Sequence, residues 1–251
     1  MTMKDQSIAI QPLAESALLV SLGNEIDPAI VDRVMALAAA IDRAALPSVT
    51  DVVSSYTTIM VVFDPTVADY DDLTEALRRL ARDTSEESLP PSRNVTIPVL
   101  YGGEVGPDLG DVADHTGLPA DDVVARHAAA EYVVACMGFA PGFGFLIGLP
   151  SELGIPRRQN PRTRVPAGSV AIGGFQTGIY SLDTPGGWHV IGKTPLVLFD
   201  YRRAEPTLLQ RGDRVRFEPI TAERFQEIAE TARDSAGTPA AEREPAEASR
   251  S

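Results

Sequence analysis

The chain has 251 residues, 44% of them hydrophobic, with 22 Lys and Arg against 35 Asp and Glu and a formal net charge of -13. An acidic protein repels polyanions at long range, which argues against nucleic acid as a partner, and the apolar fraction is enough to bury a core in each of two modest domains. The one cysteine, Cys136, cannot close an intramolecular disulfide, and no uninterrupted apolar run is long enough to cross a bilayer.

Residues 7–13 and 17–22 are short strand-like runs separated by a polar turn. Residues 28–45 then carry Ile30, Val34, Leu37, Ala38 and Ile41 at helical spacing. The order repeats, with strands predicted at 49–54 and 58–63 and a helix at 70–83 whose Leu73, Leu77 and Leu80 share a face. The β-β-α repeat predicts a small α+β domain over residues 1–90. The stretch TSEESLPPSR at 84–93 is polar and proline-containing, which suits a linker.

A second domain is expected over residues 93–220. A strand at 94–101 leads into helical stretches at 108–116 and 120–131, the latter with two acids in its first turn. Short β-branched runs then alternate with Gly and Pro, at 165–172, 178–182, 188–191, 196–201 and 214–219. That spacing predicts a closed or nearly closed β-barrel. A helix is expected at 221–233, and the remaining 234–251 hold no large apolar residue and read as a disordered tail. Residues 1–11 lack the basic-then-apolar pattern of a signal peptide, so the expected location is the cytoplasm, with no membrane partner. Cys136 sits in an apolar segment with no base in view and reads as an inert, buried thiol.

Residues 138–195 hold the densest run of Gly and Pro, which fix turns and let backbone amides approach a ligand, although barrel corners need the same residues. Arg157, Arg158, Arg162 and Arg164 form a basic cluster there, held by Pro156, Pro161 and Pro166. A planar fork of donors suits carboxylate or phosphate, so the cluster is either an anion pocket or a solvated loop paired with local acids. Gly187 to Thr194 reads G-x-x-x-x-G-K-T but runs into Pro195 and a strand, not into the helix of a true phosphate loop. Lys193, one of two lysines, stays a candidate anion or ATP contact. His115, His127 and His189 share no metal-ligand spacing, so no metal site is expected in this chain. His127 and His189 are either hydrogen-bonded structural residues or an acid and base facing the arginines.

Four blocks in order, YGGEVGPDLGDVADHTGL, HAAAEYVVACMGFAPGFGFLIGLP, PRRQNPRTRVPAGSVAIGGFQTGIYSLDTPGGWHVIGKTP and GDRVRF, resemble the KipI/allophanate hydrolase subunit 1 family. The resemblance implies a cyclophilin-like β-barrel for the second domain. It also implies a place as one component of an ATP-dependent lactam hydrolase that opens 5-oxo-L-proline to L-glutamate. The implied partners are a KipA-like C subunit and a LamB/YcsF-like A subunit, with ATP and Mg bound by the assembly. The family also contains components of allophanate hydrolase and urea carboxylase and a histidine-kinase inhibitor, and these stand as the alternative readings. The chain departs from the family at Phe145, where a Tyr is common, and at Lys193, where an Arg is common. Within these blocks the expected catalytic residues are Arg162, Lys193 and His127. Arg157, Arg164, Gln176, Tyr180 and Trp188 are expected to bind substrate, the arginines holding an anion, Gln176 and Tyr180 an amide, and Trp188 an apolar ring.

Overall fold

A computed structural model describes residues 8–84 and 92–236. Most of the expected linker, residues 85–91, and the tail from 237 onward lie outside the described residues. The first unit runs β1 (Ala9–Ala14), β2 (Ala17–Ser21), α1 (Pro28–Ala44), β3 (Val49–Ser54), β4 (Thr58–Phe63) and α2 (Tyr70–Asp83). Its four strands form one antiparallel sheet in the order β1-β2-β4-β3. Period-two alternation turns Leu18, Val20, Leu22, Ile59, Val61 and Phe63 to one face, and Val34, Leu37, Ala38 and Ile41 of α1 with Leu73 and Leu77 of α2 cover it. Each helix starts on an aspartate: Asp27 accepts from the Ala29 amide at 2.8 Å ahead of Pro28, and Asp69 accepts from the Asp72 amide at 2.9 Å.

The second unit adds β5 (Asn94–Tyr101), α3 (Leu109–Thr116), α4 (Ala120–Ala129), β6 (Tyr132–Met137), β7 (Gly144–Ile147), β8 (Arg162–Val165), β9 (Ser169–Gly173), β10 (Gln176–Ile179), β11 (Thr184–Gly186), β12 (His189–Lys193), β13 (Arg214–Pro219) and α5 (Ala222–Ala236). Seven strands close into a barrel in the order β10-β7-β6-β13-β5-β12-β9, while β8 and β11 form a separate two-stranded flap. The pair β13–β5 is parallel and the other described pairs are antiparallel. Ile97, Val99, Leu146, Val170, Ile172, Ile179, Ile191, Val215 and Phe217 are among the residues of its core. Ala135 and Ile147 of the barrel pack against Val31 and Met35 of α1, and Arg211 reaches Ser54, so the two units are in contact. Among the described residues no helix is long and apolar enough to cross a membrane.

Three segments differ from the sequence expectation. The run 165–172 is broken by a turn at 166–168, where Gly168 takes φ 84°, so Val165 ends a flap strand and Ser169 opens a barrel strand. Residues 196–201, expected as a strand, form a loop with a single bridge from Phe199 to Thr207; Pro195 precedes it, Leu198 is buried in the core and Leu196 packs against its edge. The two strands β6 and β7 lie where only an apolar run and a Gly-rich loop were legible.

His127 of α4 inserts fully into the barrel, its ring stacked on Phe217 at 4.6 Å between centroids. Its Nδ1 is 2.8 Å from the Tyr101 hydroxyl and its Nε2 is 2.9 Å from Thr177 Oγ1. The Thr177 hydroxyl donates to the Ala171 carbonyl, so it accepts from Nε2–H, and Tyr101 donates to Nδ1. A neutral imidazole satisfies both contacts. Burial lowers its pKa from the ordinary 6.5 to about 3, by desolvating the cation. Over that window the unfolded chain binds a proton that the folded chain does not, so stability falls as pH falls from 6.5 toward 3. We expect the urea midpoint to drop between about pH 7 and about pH 4, and the His127→Gln variant, less stable at the upper pH, to lose less across the same range. Equal losses in both proteins would remove His127 as the cause.

Candidate functional site

The arginine-rich segment folds over the outside of the barrel and is held there by one carboxylate. Asp108, just before α3, is tied to β12 twice: its amide donates to the Val190 carbonyl at 2.9 Å, and its Oδ2 accepts from the Val190 amide at 2.7 Å. The Asp108 side chain is 2% exposed. Arg162 grips it in a fork, Nη1 to Oδ2 and Nη2 to Oδ1, both at 2.7 Å, and Arg158 adds Nη1 to Oδ1 at 2.8 Å. The Asp108 contact holds the Arg162 guanidinium above its ordinary pKa. Arg158 is also tied through its amide to the Gly187 carbonyl, and His189 Nε2 lies 3.1 Å from the Pro156 carbonyl. Asp108, Asp111 and His189 bring ligand atoms within 4.8 Å of one another. Both Asp108 oxygens already accept hydrogen bonds, and two guanidinium groups add positive charge, so the group works as an ion-pair clamp.

Beneath the clamped segment lies an aromatic layer on the outer barrel face. Trp188 lies across Gly173, where a Cβ would stand 2.5 Å from the indole, so glycine is what lets the ring seat against the strand. Phe143, Val165, Ala171, Tyr180 and Val190 complete the cluster, with Phe145 5.9 Å from Trp188 between ring centroids. Arg157 sits over the indole at 5.9 Å. Among the described residues it forms no salt bridge, so its charge is available on an exposed surface. Tyr56, from the turn between β3 and β4, meets Phe145 edge-on at 6.1 Å. The Gln176 carboxamide approaches the Tyr56 hydroxyl, and its buried Nε2 has no acceptor in hydrogen-bond geometry. Burial pushes Tyr56, Tyr180 and the neighbouring Cys136 thiol up, so all three hold their protons near neutrality.

Arg157, Gln176, Tyr180 and Trp188 therefore share one face, with Arg162 at its edge through Asp108. The other predicted residues lie elsewhere. Lys193 is at the far end of β12, five residues from Trp188 and roughly 16 Å along the strand at ~3.3 Å per residue. It lines a separate cleft of about 310 Å³ with Gly168, Ser181, Leu198 and Phe225 of α5. Because Gly187–Thr194 is largely the extended strand β12, it forms no phosphate-cradling loop. Arg164 points outward, 75% exposed, and pairs with Asp183, which also accepts the Ala167 amide. His127 is enclosed in the barrel core. Asp108 and Tyr56 were missed: they stand 50 and 54 residues from the arginines, and in another sheet, respectively, separations that carry no local signal. We expect Asp108→Ala to cost about 3–5 kcal/mol by stranding two guanidinium groups, and Arg158→Ala clearly less because Arg162 keeps its partner. Chemical denaturation of the two variants checks this; equal small losses would mean that the clamp is not a structural support.

The model for the carboxyltransferase domain, subdomain C and D, matches residues 8–209. The B subunit of 5-oxoprolinase from Bacillus subtilis is 40% identical over 226 residues, covering 84% of this chain and 92% of that protein. The protein of the same name from Escherichia coli is 56% identical over 147 residues, 58% of this chain and 67% of its own length. The crystal structure of TTHA0988 matches with a TM-score of 0.72 at 37% identity over 82% of this chain, which spans 40% of that longer protein. With its match running from the first sheet through six of the seven barrel strands, the chain belongs to the family of carboxyltransferase subdomain C and D proteins.

Proposed function

We propose that this chain is the B subunit of an ATP-dependent 5-oxoprolinase, a cytoplasmic enzyme that opens 5-oxo-L-proline to L-glutamate with a KipA-like C subunit and a LamB/YcsF-like A subunit. The observation that carries this reading is 40% identity across 92% of the B subunit of a 5-oxoprolinase, in a chain whose residues 8–209 match the family. A lactam is a poor electrophile, and ATP supplies the missing drive by turning the carbonyl oxygen into a leaving group. In this reading the assembly binds the nucleotide, and Gly187–Thr194, largely strand β12, offers it no phosphate loop. This chain contributes a binding surface. Arg157 offers its guanidinium, without an ion pair among the described residues, to the substrate carboxylate and Phe145 an apolar wall, while Gln176, its Nε2 buried beside Tyr56, backs this surface. Trp188 braces Arg157 from below.

Co-purified with its A and C partners, the chain is expected to support ATP-dependent release of glutamate from 5-oxo-L-proline, and Arg157→Ala to lower that rate at least about tenfold with the fold intact. An assembled complex with no such glutamate release would overturn the assignment. A variant rate equal to wild type would remove Arg157 from the site.

A further inference from the structure

We infer that the cleft between residues 137–142 and residues 207–211 is a binding site for the carboxylate of a small, partly apolar molecule, with Arg211 as its anchor. The cleft is about 570 Å³, within the range of ligand pockets, and none of Arg157, Gln176, Tyr180 or Trp188 lines it. Met137, Phe139, Pro141 and Leu209 give it apolar walls, and Arg211 is the one charged residue in its lining.

Arg211 is half-buried, and its hydrogen bond goes to the Ser54 hydroxyl. Among the described residues no carboxylate comes within ion-pair distance of it, and Asp42 acts on it only from further away. The Ser54 bond is the one side-chain hydrogen bond of Arg211 among the described residues, and its remaining N–H donors are not sealed from solvent, so they are open to a ligand in the cleft. A bound carboxylate would take two of them in a planar fork.

The opposite wall adds donors of its own. The amides of Phe139 and Gly142 find no backbone acceptor, whereas those of Gly138, Ala140 and Phe143 are all used within the loop. Phe139 takes φ 67°, a conformation that costs a non-glycine residue energy, and it leaves the ring 62% exposed. The Thr207 hydroxyl likewise has no partner among the described residues. A cation, free N–H groups and apolar walls around one open volume fit an amphipathic carboxylate.

Saturation-transfer NMR on the intact chain tests this with benzoate and 5-oxo-L-proline, each beside a neutral analogue, benzyl alcohol and 2-pyrrolidinone. At least one carboxylate should bind and its neutral analogue should not. Arg211→Gln should weaken binding about tenfold or more. Ser54→Ala, which removes the neighbour but keeps the guanidinium, should bind as wild type does, and Thr207→Val should weaken binding if Arg211→Gln fails to fold. Binding of 5-oxo-L-proline would make the substrate the occupant, and benzoate alone would still support the site with a different carboxylate. Absence of binding by both carboxylates, or wild-type affinity in a folded Arg211→Gln variant, would overturn it. The readout needs no partner chain, so its failure and that of the oxoprolinase assignment are separable.

Discussion

The outer face of the barrel depends on one buried carboxylate. Asp108 is fixed to β12 by a pair of backbone contacts, and from there it holds Arg162 in a fork and Arg158 by a further bond. Those two side chains belong to a 155–165 segment that is also held by the β8–β11 flap, the Ile155–Gly174 bridge, the Arg158 amide on Gly187 and the buried Ile155 and Val165. With the clamp closed, the segment shelters Trp188 and sets Arg157 over it. A low-dielectric setting strengthens the pairing and makes an unpaired member expensive, so the clamp has one favoured arrangement.

The same logic sorts the basic groups of this acidic chain. Arg158, Arg162 and Arg164 have carboxylate partners, and their charge is spent on structure. Among the described residues Arg157 and Arg211 have none, and Lys193 feels Asp183 only at a distance. Each of these three lies beside apolar surface, on Trp188, in the cleft at Phe139 and in the cleft under α5. Being basic in sequence thus marks the region, but the absence of a partner marks the groups that have binding capacity left.

Much of the scaffold was legible because it follows local rules. Period-two runs gave β2 and β4, and i, i+3, i+4 spacing with an aspartate cap gave α1 and α2. The barrel was legible as a class from its short Gly- and Pro-bounded strands, yet 196–201 failed because Leu198 is buried singly from a loop, and burial of one residue imitates a strand only in composition. The site was half legible. Gln176, Tyr180 and Trp188 lie on neighbouring parts of one sheet, so their meeting follows from strand pairing. His127 and Lys193 do not join that face: His127 is enclosed in the barrel core, and β12 carries Lys193 to the cleft it lines with Phe225.

The loop at 138–143 joins these observations. Phe139 contacts Phe143 at 5.3 Å and Tyr180 at 6.2 Å, which ties it to the aromatic layer under Arg157, while its exposed surface and backbone line the cleft that contains Arg211. A left-handed conformation at a phenylalanine persists only where its surroundings determine it, and here the aromatic contacts on one side do so. Phe139 thus borders both the aromatic layer beneath Arg157 and the cleft that holds Arg211. Phe145 links the same packing to Tyr56, in the turn between β3 and β4. Beside the apolar contact of Ala135 and Ile147 with Val31 and Met35, the contact between the two units includes Arg211 on Ser54 and Phe145 on Tyr56, residues that border the two candidate sites.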